Sequence, residues 1–193
     1  TAEVKAVTDY CVTSANALKI INQLPKDRPI LFGPDKNLGR YIQLVTGREM
    51  DIWQGDCYVH RYITADVVAD FLKQYPNAEL LIHPESAACT EPWVLDHERI
   101  IVGSTTSIMK RPGESNLNQY LIATEPDTLA ELTKRYPTTE FIPVIPEHTC
   151  EYMKLITLED VRDAMLYERY EVKVPKEVRD KAIISIERML ELS

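Results

Sequence analysis

The sequence contains two related stretches that lie about ninety residues apart, and each one ends in a cysteine. Cys57 is followed by five residues and then by Ile-Thr, and Cys150 is followed by five residues and the same Ile-Thr pair. A repeat of this period indicates two copies of one structural unit that pack against each other. Because equivalent side chains of such copies can be brought round a common axis, the repeat predicts that the two thiols share one metal site.

The upstream parts of the two stretches also correspond. Residues 12–14 fall on residues 102–104, and residues 31–35 fall on residues 121–125, at an offset of 90. Within both copies, helical periodicity alternates with short apolar runs, which is typical of parallel α/β folds whose helices cross over the sheet. We therefore predict an α/β fold built from repeated three-layer α/β/α units with small parallel sheets.

The same periodicity predicts individual elements. In the second copy we expect helices near 64–75, 85–96, 104–111 and 126–136, and strands near 79–82, 99–103, 119–123 and 140–144. In the first copy we expect helices near 2–8, 14–24 and 36–47, and strands near 10–13, 29–33 and 50–53. Because the first copy has three strands against four, we expect that its first strand, and with it an earlier copy, is missing from an incomplete sequence.

These patterns divide the chain into three segments. Residues 1–58 and residues 59–150 are the two α/β units, and residues 151–193 are a C-terminal helical segment. Four apolar residues fall on one face of the last helix, namely Val178, Ala182, Ile186 and Met189. Such a stripe on a helix requires a partner surface.

Charge and cysteine content exclude several classes of protein. The 30 acidic and 22 basic side chains give a net charge of −8, which argues against a nucleic-acid-binding protein, since these carry clustered Lys and Arg. No apolar run approaches the roughly 20 residues that span a bilayer, and no signal peptide is recognisable. The four cysteines are irregularly spaced, which favours metal binding or burial over disulfides. We expect a soluble, cytoplasmic protein.

Hydroxyl groups follow apolar strands at matched positions of the two copies. Ser14 and the pair Ser104-Thr105 each open a predicted helix at the carboxyl edge of a parallel sheet, where ligands bind in open α/β folds. Free backbone N–H groups at a helix start favour a carboxylate or a phosphate. Simple N-capping remains the alternative interpretation.

A histidine and a carboxylate are expected at the same edge. His83-Pro84-Glu85 ends the strand at residues 79–82, where an imidazole and a carboxylate can polarise a carbonyl and move protons. The alternative is a strand end with surface polar groups. His60, His97 and His148 have no partner that the sequence identifies.

Two cysteines are too few for a structural zinc site, and no CxxC or HxxxH pattern accompanies them. An upstream third copy would supply a third thiolate to Cys57 and Cys150. Three thiolates on a four-iron cluster leave one iron open to a substrate. Cys11 has Ile101 as its counterpart in the other copy, and Cys89 lies early in a predicted helix, so both are predicted to be non-ligands.

Motifs along nearly the whole chain resemble the quinolinate synthase family, also called the quinolinate synthetase A family. The segments that carry the resemblance are Thr1–Ala6, Val12–Ala17, Pro34–Tyr41, Trp53–Cys57 with His60, His83–Glu85, Gly103–Thr105, and Cys150 with Met153-Lys154. They occur in the family's order, over what would be the last two thirds of the enzyme.

The resemblance implies three α/β/α units about a pseudo-threefold axis, of which residues 1–58 would be the second and residues 59–150 the third. Residues 151–193 would pack toward the first unit. Each unit gives one cysteine to a [4Fe-4S] cluster, so Cys57 and Cys150 would be two ligands and the third would lie outside this chain. The open iron would act as a Lewis acid.

The resemblance also implies the activity: an enzyme, a transferase of de novo NAD biosynthesis, that condenses iminoaspartate with dihydroxyacetone phosphate to quinolinate with loss of phosphate and water. An L-aspartate oxidase or dehydrogenase would supply the iminoaspartate. Ser14, Ser104 and Thr105 would hold carboxylate or phosphate groups, His83 would contact the substrate, and Glu85 would be the acid or base. With two thiolates of three, we expect these 193 residues alone to be inactive. The alternative is a metal-free α/β fragment that binds dicarboxylates without catalysis.

Overall fold

The computed structural model of the protein describes residues 1–193. The strands are β1 (Leu31–Phe32), β2 (Asp51–Ile52), β3 (Glu79–Ile82), β4 (Ile100–Val102), β5 (Gln119–Ala123) and β6 (Glu140–Pro143). The α-helices are α1 (Ala2–Lys5), α2 (Ala17–Gln23), α3 (Lys36–Thr46), α4 (Ala65–Gln74), α5 (Pro92–Asp96), α6 (Thr105–Lys110), α7 (Thr128–Arg135), α8 (Leu158–Tyr167) and α9 (Lys176–Leu192). Short 3-10 helices lie at His60–Tyr62, Ala87–Thr90, Arg111–Gly113 and Glu151–Lys154.

The chain forms two compact units. The central unit comprises Leu24–Thr149, and the terminal unit comprises Thr1–Gln23 together with Cys150–Ser193. The predicted division at residues 58 and 150 stays a prediction. None of the helices is long and apolar enough to cross a membrane.

The central unit contains two parallel sheets. Its larger sheet has the strand order β4-β3-β5-β6, and every neighbouring pair is parallel. Leu80 of β3 pairs with Ile100 of β4 on one side and with Leu121 of β5 on the other. The smaller sheet pairs β1 with β2, again in parallel, and α3 makes the crossover. The predicted α/β class with small parallel sheets is confirmed.

The central strands β3 and β5 are apolar after their first residue because both of their faces are covered. Leu80, Leu81 and Ile82 are fully buried, as are Leu121 and Ile122. On one face they form a core with the neighbouring helices, made by Leu81, Ile108, Tyr120, Ile122 and Leu132. Near-continuous apolar runs of this kind are typical of parallel strands with helices on both sides, so this sheet is the rigid base of the central unit.

In the terminal unit, α9 packs against α1 and α2. Ala182 and Ser185 are its buried residues, so the apolar stripe of this helix is at least partly covered within the unit.

The strand predicted near residues 10–13 is wrong. The backbone N–H of Cys11 donates to the carbonyl of Ser185 in α9, so the segment lies along a helix and has no strand partner.

The two cysteines of the repeat precede the same local structure. Thr64 begins α4 by accepting a hydrogen bond from the Val67 amide, and Thr157 begins α8 by accepting one from the Asp160 amide. Both helices have ten residues. Threonine at this position satisfies an N–H group that the helix itself leaves unpaired, which explains why the Ile-Thr pair recurs.

Candidate active site at the carboxyl edge of the larger sheet

Three polar segments follow the neighbouring strands β3, β4 and β5 of the larger sheet. His83 comes directly after β3, Gly103-Ser104 after β4, and Thr124 after β5. Because the strands are parallel, these residues lie at one edge, which is where ligands bind in open α/β sheets. The predicted positions of His83 and Ser104 at this edge agree with the structure.

His60 joins this edge from the 3-10 helix His60–Tyr62. Its ring stacks on the His83 ring, with 4.4 Å between the ring centroids. Its Nε2 lies 3.0 Å from the Thr124 hydroxyl oxygen, and its Nδ1 lies 3.4 Å from Glu85 Oε2. That Nδ1 atom is buried, and no neighbour meets it with hydrogen-bond geometry. The imidazole is therefore held by Thr124 on one side, and on the other it faces the Glu85 carboxylate at ion-pair distance but without hydrogen-bond geometry.

The two stacked imidazoles have opposite pKa shifts. Burial acts to lower the pKa of His60, but the side chains of Cys57 and Glu85 outweigh it and raise this pKa to about 9. Burial lowers the pKa of His83 to about 4, and the neighbouring His60 charge adds to the effect. Near neutral pH, His60 is thus a cation and His83 is a neutral ring. Two titratable groups driven apart in this way are typical of functional sites.

The neutral His83 ring has a defined tautomer. The Glu85 amide nitrogen lies 3.4 Å from His83 Nδ1 and donates to it. A neutral imidazole carries one proton, so the proton of His83 is assigned to Nε2. His83 therefore presents an N–H donor.

Glu85 is held by its backbone and ionised by its neighbours. Its carbonyl accepts a hydrogen bond of 2.9 Å from the buried Asn37 side chain at the start of α3. The interaction with His60 lowers the pKa of Glu85, although burial opposes it. Glu85 is consequently a carboxylate near neutral pH and can accept a proton.

Cys57 is positioned through the buried carboxylate of Asp35. One oxygen of Asp35 accepts from the Leu38 amide and begins α3, and the other accepts from the Cys57 amide at 2.8 Å. Gly55 allows the loop before Cys57 to pass close to the backbone of Pro34, because a Cβ at residue 55 would lie 2.6 Å from the Pro34 carbonyl oxygen. Burial raises the pKa of Asp35, and its hydrogen bonds only partly offset this. The loop that carries the thiol is therefore anchored to a helix start.

The Cys57 thiol is half-buried and lies beside His60. Burial acts to raise its pKa, but the contacts with His60 outweigh burial and lower the pKa of Cys57. The donor atoms of Cys57, His60 and Glu85 all lie within 4.8 Å of one another. A thiolate, an imidazole and a carboxylate are thus gathered at one point, a donor set that suits a metal or a metal cluster.

The predicted anion-binding hydroxyls are distributed over both units. In the central unit, Ser104 caps α6 by accepting from the Ser107 amide, so the capping interpretation holds for it, and Thr105 is exposed beside it. In the terminal unit, Ser14 is half-buried in the turn before α2, and the bonds that close this turn join Thr13 and Asn16. Cys150 also belongs to the terminal unit.

The cysteines predicted to be non-ligands have ordinary structural environments. Cys89 is fully buried, burial raises its pKa to about 12, and its sulfur lies 3.6 Å from the His83 carbonyl oxygen. Cys11 lies in the terminal unit, with its sulfur 3.2 Å from the Ser185 hydroxyl.

Sequence reasoning missed His60, Thr124, Asp35 and Asn37. The repeat places Met153, a residue of different chemistry, at the position equivalent to His60, so it gave no signal for this histidine. It did align Asp35 with Glu125, two acidic residues that lie within three residues of the end of a strand. Both are buried. That match was a usable signal for a structural carboxylate.

Fold and site together define an α/β protein with a polar, titratable site at the carboxyl ends of parallel strands. The family model of the quinolinate synthetase A protein matches residues 1–191, so the chain belongs to this family. The quinolinate synthase of Pyrobaculum aerophilum is 45% identical in an alignment of 196 positions, which covers 100% of this chain and 64% of that relative. Those of Gloeothece citriformis and Rippkaea orientalis are each 41% identical, and the match covers 59% of each relative. The chain thus spans about three fifths of the length of these relatives.

Proposed function

We propose that the full-length protein containing this sequence is a quinolinate synthase of de novo NAD biosynthesis. It would join iminoaspartate to dihydroxyacetone phosphate and release quinolinate, one phosphate and two waters. The observation that carries this proposal is the family match over residues 1–191. The geometry at the carboxyl edge of the larger sheet supports it, because that edge combines a thiol, two histidines of opposite charge state and a carboxylate.

We propose Cys57 and Cys150 as two of the three ligands of a [4Fe-4S] cluster, with a third cysteine outside these 193 residues. The environment of Cys57 fits this role, because its lowered pKa favours the thiolate, the form that binds iron. When bound, a cluster with three thiolate ligands offers one iron as a Lewis acid toward a substrate oxygen. The pseudo-threefold arrangement, in which residues 151–193 pack toward the first unit, is part of the same proposal.

His83 would orient the substrate by donating a hydrogen bond. Its Nε2–H is a donor over the whole physiological pH range, because the pKa of His83 is held at about 4. A neutral donor polarises a carbonyl or holds a carboxylate without giving up its proton. The stacked His60 cation adds the positive charge that a dicarboxylate substrate requires.

Glu85 would move protons during the loss of water and closure of the ring. Its carboxylate is ionised and half-buried, and it lies 3.4 Å from the protonated His60. A base in such a position accepts a proton from carbon or nitrogen and returns it to a departing hydroxyl. Ser14, Ser104 and Thr105 would hold the carboxylate or phosphate groups of the two substrates.

We propose a cytoplasmic location for the protein, with an L-aspartate oxidase or dehydrogenase as the supplier of iminoaspartate. The 193 residues by themselves would not catalyse it, because they carry two of the three proposed thiolates. The second candidate function is dicarboxylate binding without a metal, which the His60 cation beside the His83 donor favours.

The test is an anaerobic assay of the full-length gene product. Iminoaspartate is generated in the reaction mixture, dihydroxyacetone phosphate is added, and quinolinate is quantified by chromatography. The iron and acid-labile sulfide bound to the protein are measured in parallel. We expect quinolinate to form only with iron-loaded protein. Iron-loaded protein that forms none would overturn the proposal. Saturable binding of a dicarboxylate without turnover would then support the second candidate.

A further inference from the structure

The three donor atoms beside His83 form a compact cluster of potential metal ligands. Sγ of Cys57, a ring nitrogen of His60 and a carboxylate oxygen of Glu85 lie within 4.8 Å of one another. The first comes from the loop after β2, the second from a 3-10 helix, and the third from the loop after β3. Three elements of the central unit therefore converge on one point.

The separation of His60 Nδ1 and Glu85 Oε2 suits two ligands on one metal ion better than it suits a hydrogen bond. His60 Nδ1 lies 3.4 Å from Glu85 Oε2, beyond the usual range for N–H···O bonds, and has no hydrogen-bond partner although it is buried. A tetrahedral zinc ion with bonds of about 2.0–2.3 Å holds its ligand atoms about 3.5 Å apart. A buried nitrogen without a partner costs free energy, and an ion between the two atoms would remove that cost.

The supporting contacts are those of a ligand set held in place. His60 Nε2 contacts the Thr124 hydroxyl at 3.0 Å, which fixes the ring and leaves Nδ1 facing Glu85. The Cys57 amide is bound by Asp35, and the Glu85 carbonyl is bound by Asn37. Metal-binding histidines commonly use their second nitrogen in this way, and such contacts hold the ligands in position.

We propose that Cys57, His60 and Glu85 form a site for a single Zn²⁺ ion in protein that holds no iron–sulfur cluster. A thiolate and an imidazole select zinc over magnesium or calcium, and three protein ligands leave a fourth position for water. The thiolate and the carboxylate together balance the two positive charges of the ion. The site needs only the central unit and does not depend on the proposed function.

One consequence does rest on the proposed function. Cys57 would belong both to the zinc site and to the cluster, so zinc and the cluster exclude each other. Protein loaded with zinc first would then take up less iron and sulfide in an anaerobic reconstitution. Equal uptake of iron and sulfide with and without zinc would refute the mutual exclusion of zinc and the cluster, but it would not affect the zinc site itself. Failure of the zinc proposal can therefore be distinguished from failure of the proposed function.

The test titrates metal-free, reduced protein with Zn²⁺ by calorimetry and with Co²⁺ by absorption spectroscopy. We expect one equivalent of each ion, a thiolate-to-cobalt charge-transfer band in the near ultraviolet, and visible bands of a tetrahedral ion. Cys57→Ser removes the charge-transfer band. His60→Ala and Glu85→Gln each weaken zinc binding by more than about 100-fold, and Thr124→Val weakens it by about 10–100-fold.

Matched controls come from the same unit. Cys89→Ser, His148→Ala and Glu147→Gln change the same residue types outside the group of three donors, and each keeps the affinity. Glu85→Gln preserves the size of the side chain, so a folded variant remains available if another fails to fold. The proposal is overturned if no ion binds, or if folded Cys57→Ser and Glu85→Gln proteins bind zinc as tightly as the unchanged protein.

Discussion

The two ends of strand β3 each carry a glutamate beside a cation, but the two pairs differ in geometry. At the amino end, Glu79 accepts two hydrogen bonds of 2.7 Å from the Arg111 guanidinium. Beyond the carboxyl end, Glu85 lies 3.4 Å from His60, and the facing nitrogen of the ring has no hydrogen-bond partner. The charge pair at the amino end is hydrogen-bonded, and we call this the closed end of the strand. The pair beyond the carboxyl end lacks such hydrogen bonds, and we call this the open end.

The Arg111–Glu79 pair is a structural contact, whereas the His60–Glu85 pair belongs to the candidate site. The Arg111–Glu79 pair satisfies its carboxylate in a planar, bidentate arrangement, and this leaves nothing for a ligand. The His60–Glu85 pair keeps unsatisfied capacity, and its neighbours His83 and Cys57 have shifted pKa values. Incomplete satisfaction of buried polar groups is therefore the feature that distinguishes the candidate site from the structural pair.

The largest expected effect tests the open end. Glu85→Gln in the full-length protein should lower the rate of quinolinate formation by about 10²–10⁴-fold, because a proton acceptor is lost while the shape of the side chain is kept. Its thermal unfolding midpoint should change little. The measurement is the initial rate in the anaerobic assay, with Glu147→Gln as the control. A rate close to that of the unchanged protein would remove Glu85 from the mechanism.

The next effect tests the closed end. Arg111→Met should reduce the free energy of unfolding by about 2–3 kcal/mol, because it leaves the buried Glu79 carboxylate without its partner. The loss is smaller than for a fully buried pair because the guanidinium is partly exposed. Activity per folded molecule should be unchanged. Denaturant unfolding measures the loss, and Arg135→Met, at an exposed ion pair, should have little effect. Equal stabilities of the two variants would contradict the structural role.

A third prediction concerns the loop that carries the thiol. Gly55→Ala should cost about 2 kcal/mol of stability, because the new Cβ would meet the Pro34 carbonyl oxygen at 2.6 Å. Gly47→Ala should cost about 1 kcal/mol through its left-handed backbone alone, since no atom lies within 4 Å of its Cβ position. Only the Gly55 variant should alter the alkylation rate of Cys57. The same change in both variants would show that crowding near Cys57 is unimportant.

The smallest effect concerns thiol reactivity in metal-free protein. His60→Gln should slow the alkylation of Cys57 by iodoacetamide severalfold, because the His60 cation lowers the pKa of the thiol. The rate is measured near pH 7.5, about one unit above the usual pKa of histidine, where His60 is still protonated because its own pKa is about 9. The difference should vanish above about pH 9, where His60 loses its proton. Mass spectrometry of the labelled peptide gives the rate, and Cys89 should stay unlabelled while the protein is folded. A difference that does not depend on pH would contradict this electrostatic cause.

Much of the central unit could be predicted from its sequence. The runs expected near 79–82, 99–103, 119–123 and 140–144 correspond to β3–β6 within one residue at each end, because each strand contains a short apolar run bounded by polar or turn residues. The segment near residues 10–13 has similar composition but forms no strand, because its backbone bonds to α9, far away in sequence.

The candidate site was predictable only in part. Positions next to strands identified His83, Glu85 and Ser104, because the topology of a parallel sheet brings strand ends together. The pairing of His60 with Glu85 and Thr124 joins residues 25 and 64 positions apart, and tertiary packing alone sets it. A single histidine three residues after Cys57 gives no periodic signal, so the charged partner of the site could not be inferred.

The most direct test of the proposed role of the open end compares two cysteines of the central unit in the full-length protein. Iron, acid-labile sulfide and quinolinate formation are measured anaerobically for Cys57→Ser and for Cys89→Ser. We predict that Cys57→Ser loses all three, and that Cys89→Ser keeps turnover and about four irons per chain, as a [4Fe-4S] cluster requires. Normal iron content and turnover in Cys57→Ser would contradict the assignment of this thiol and with it the proposed function of the carboxyl edge.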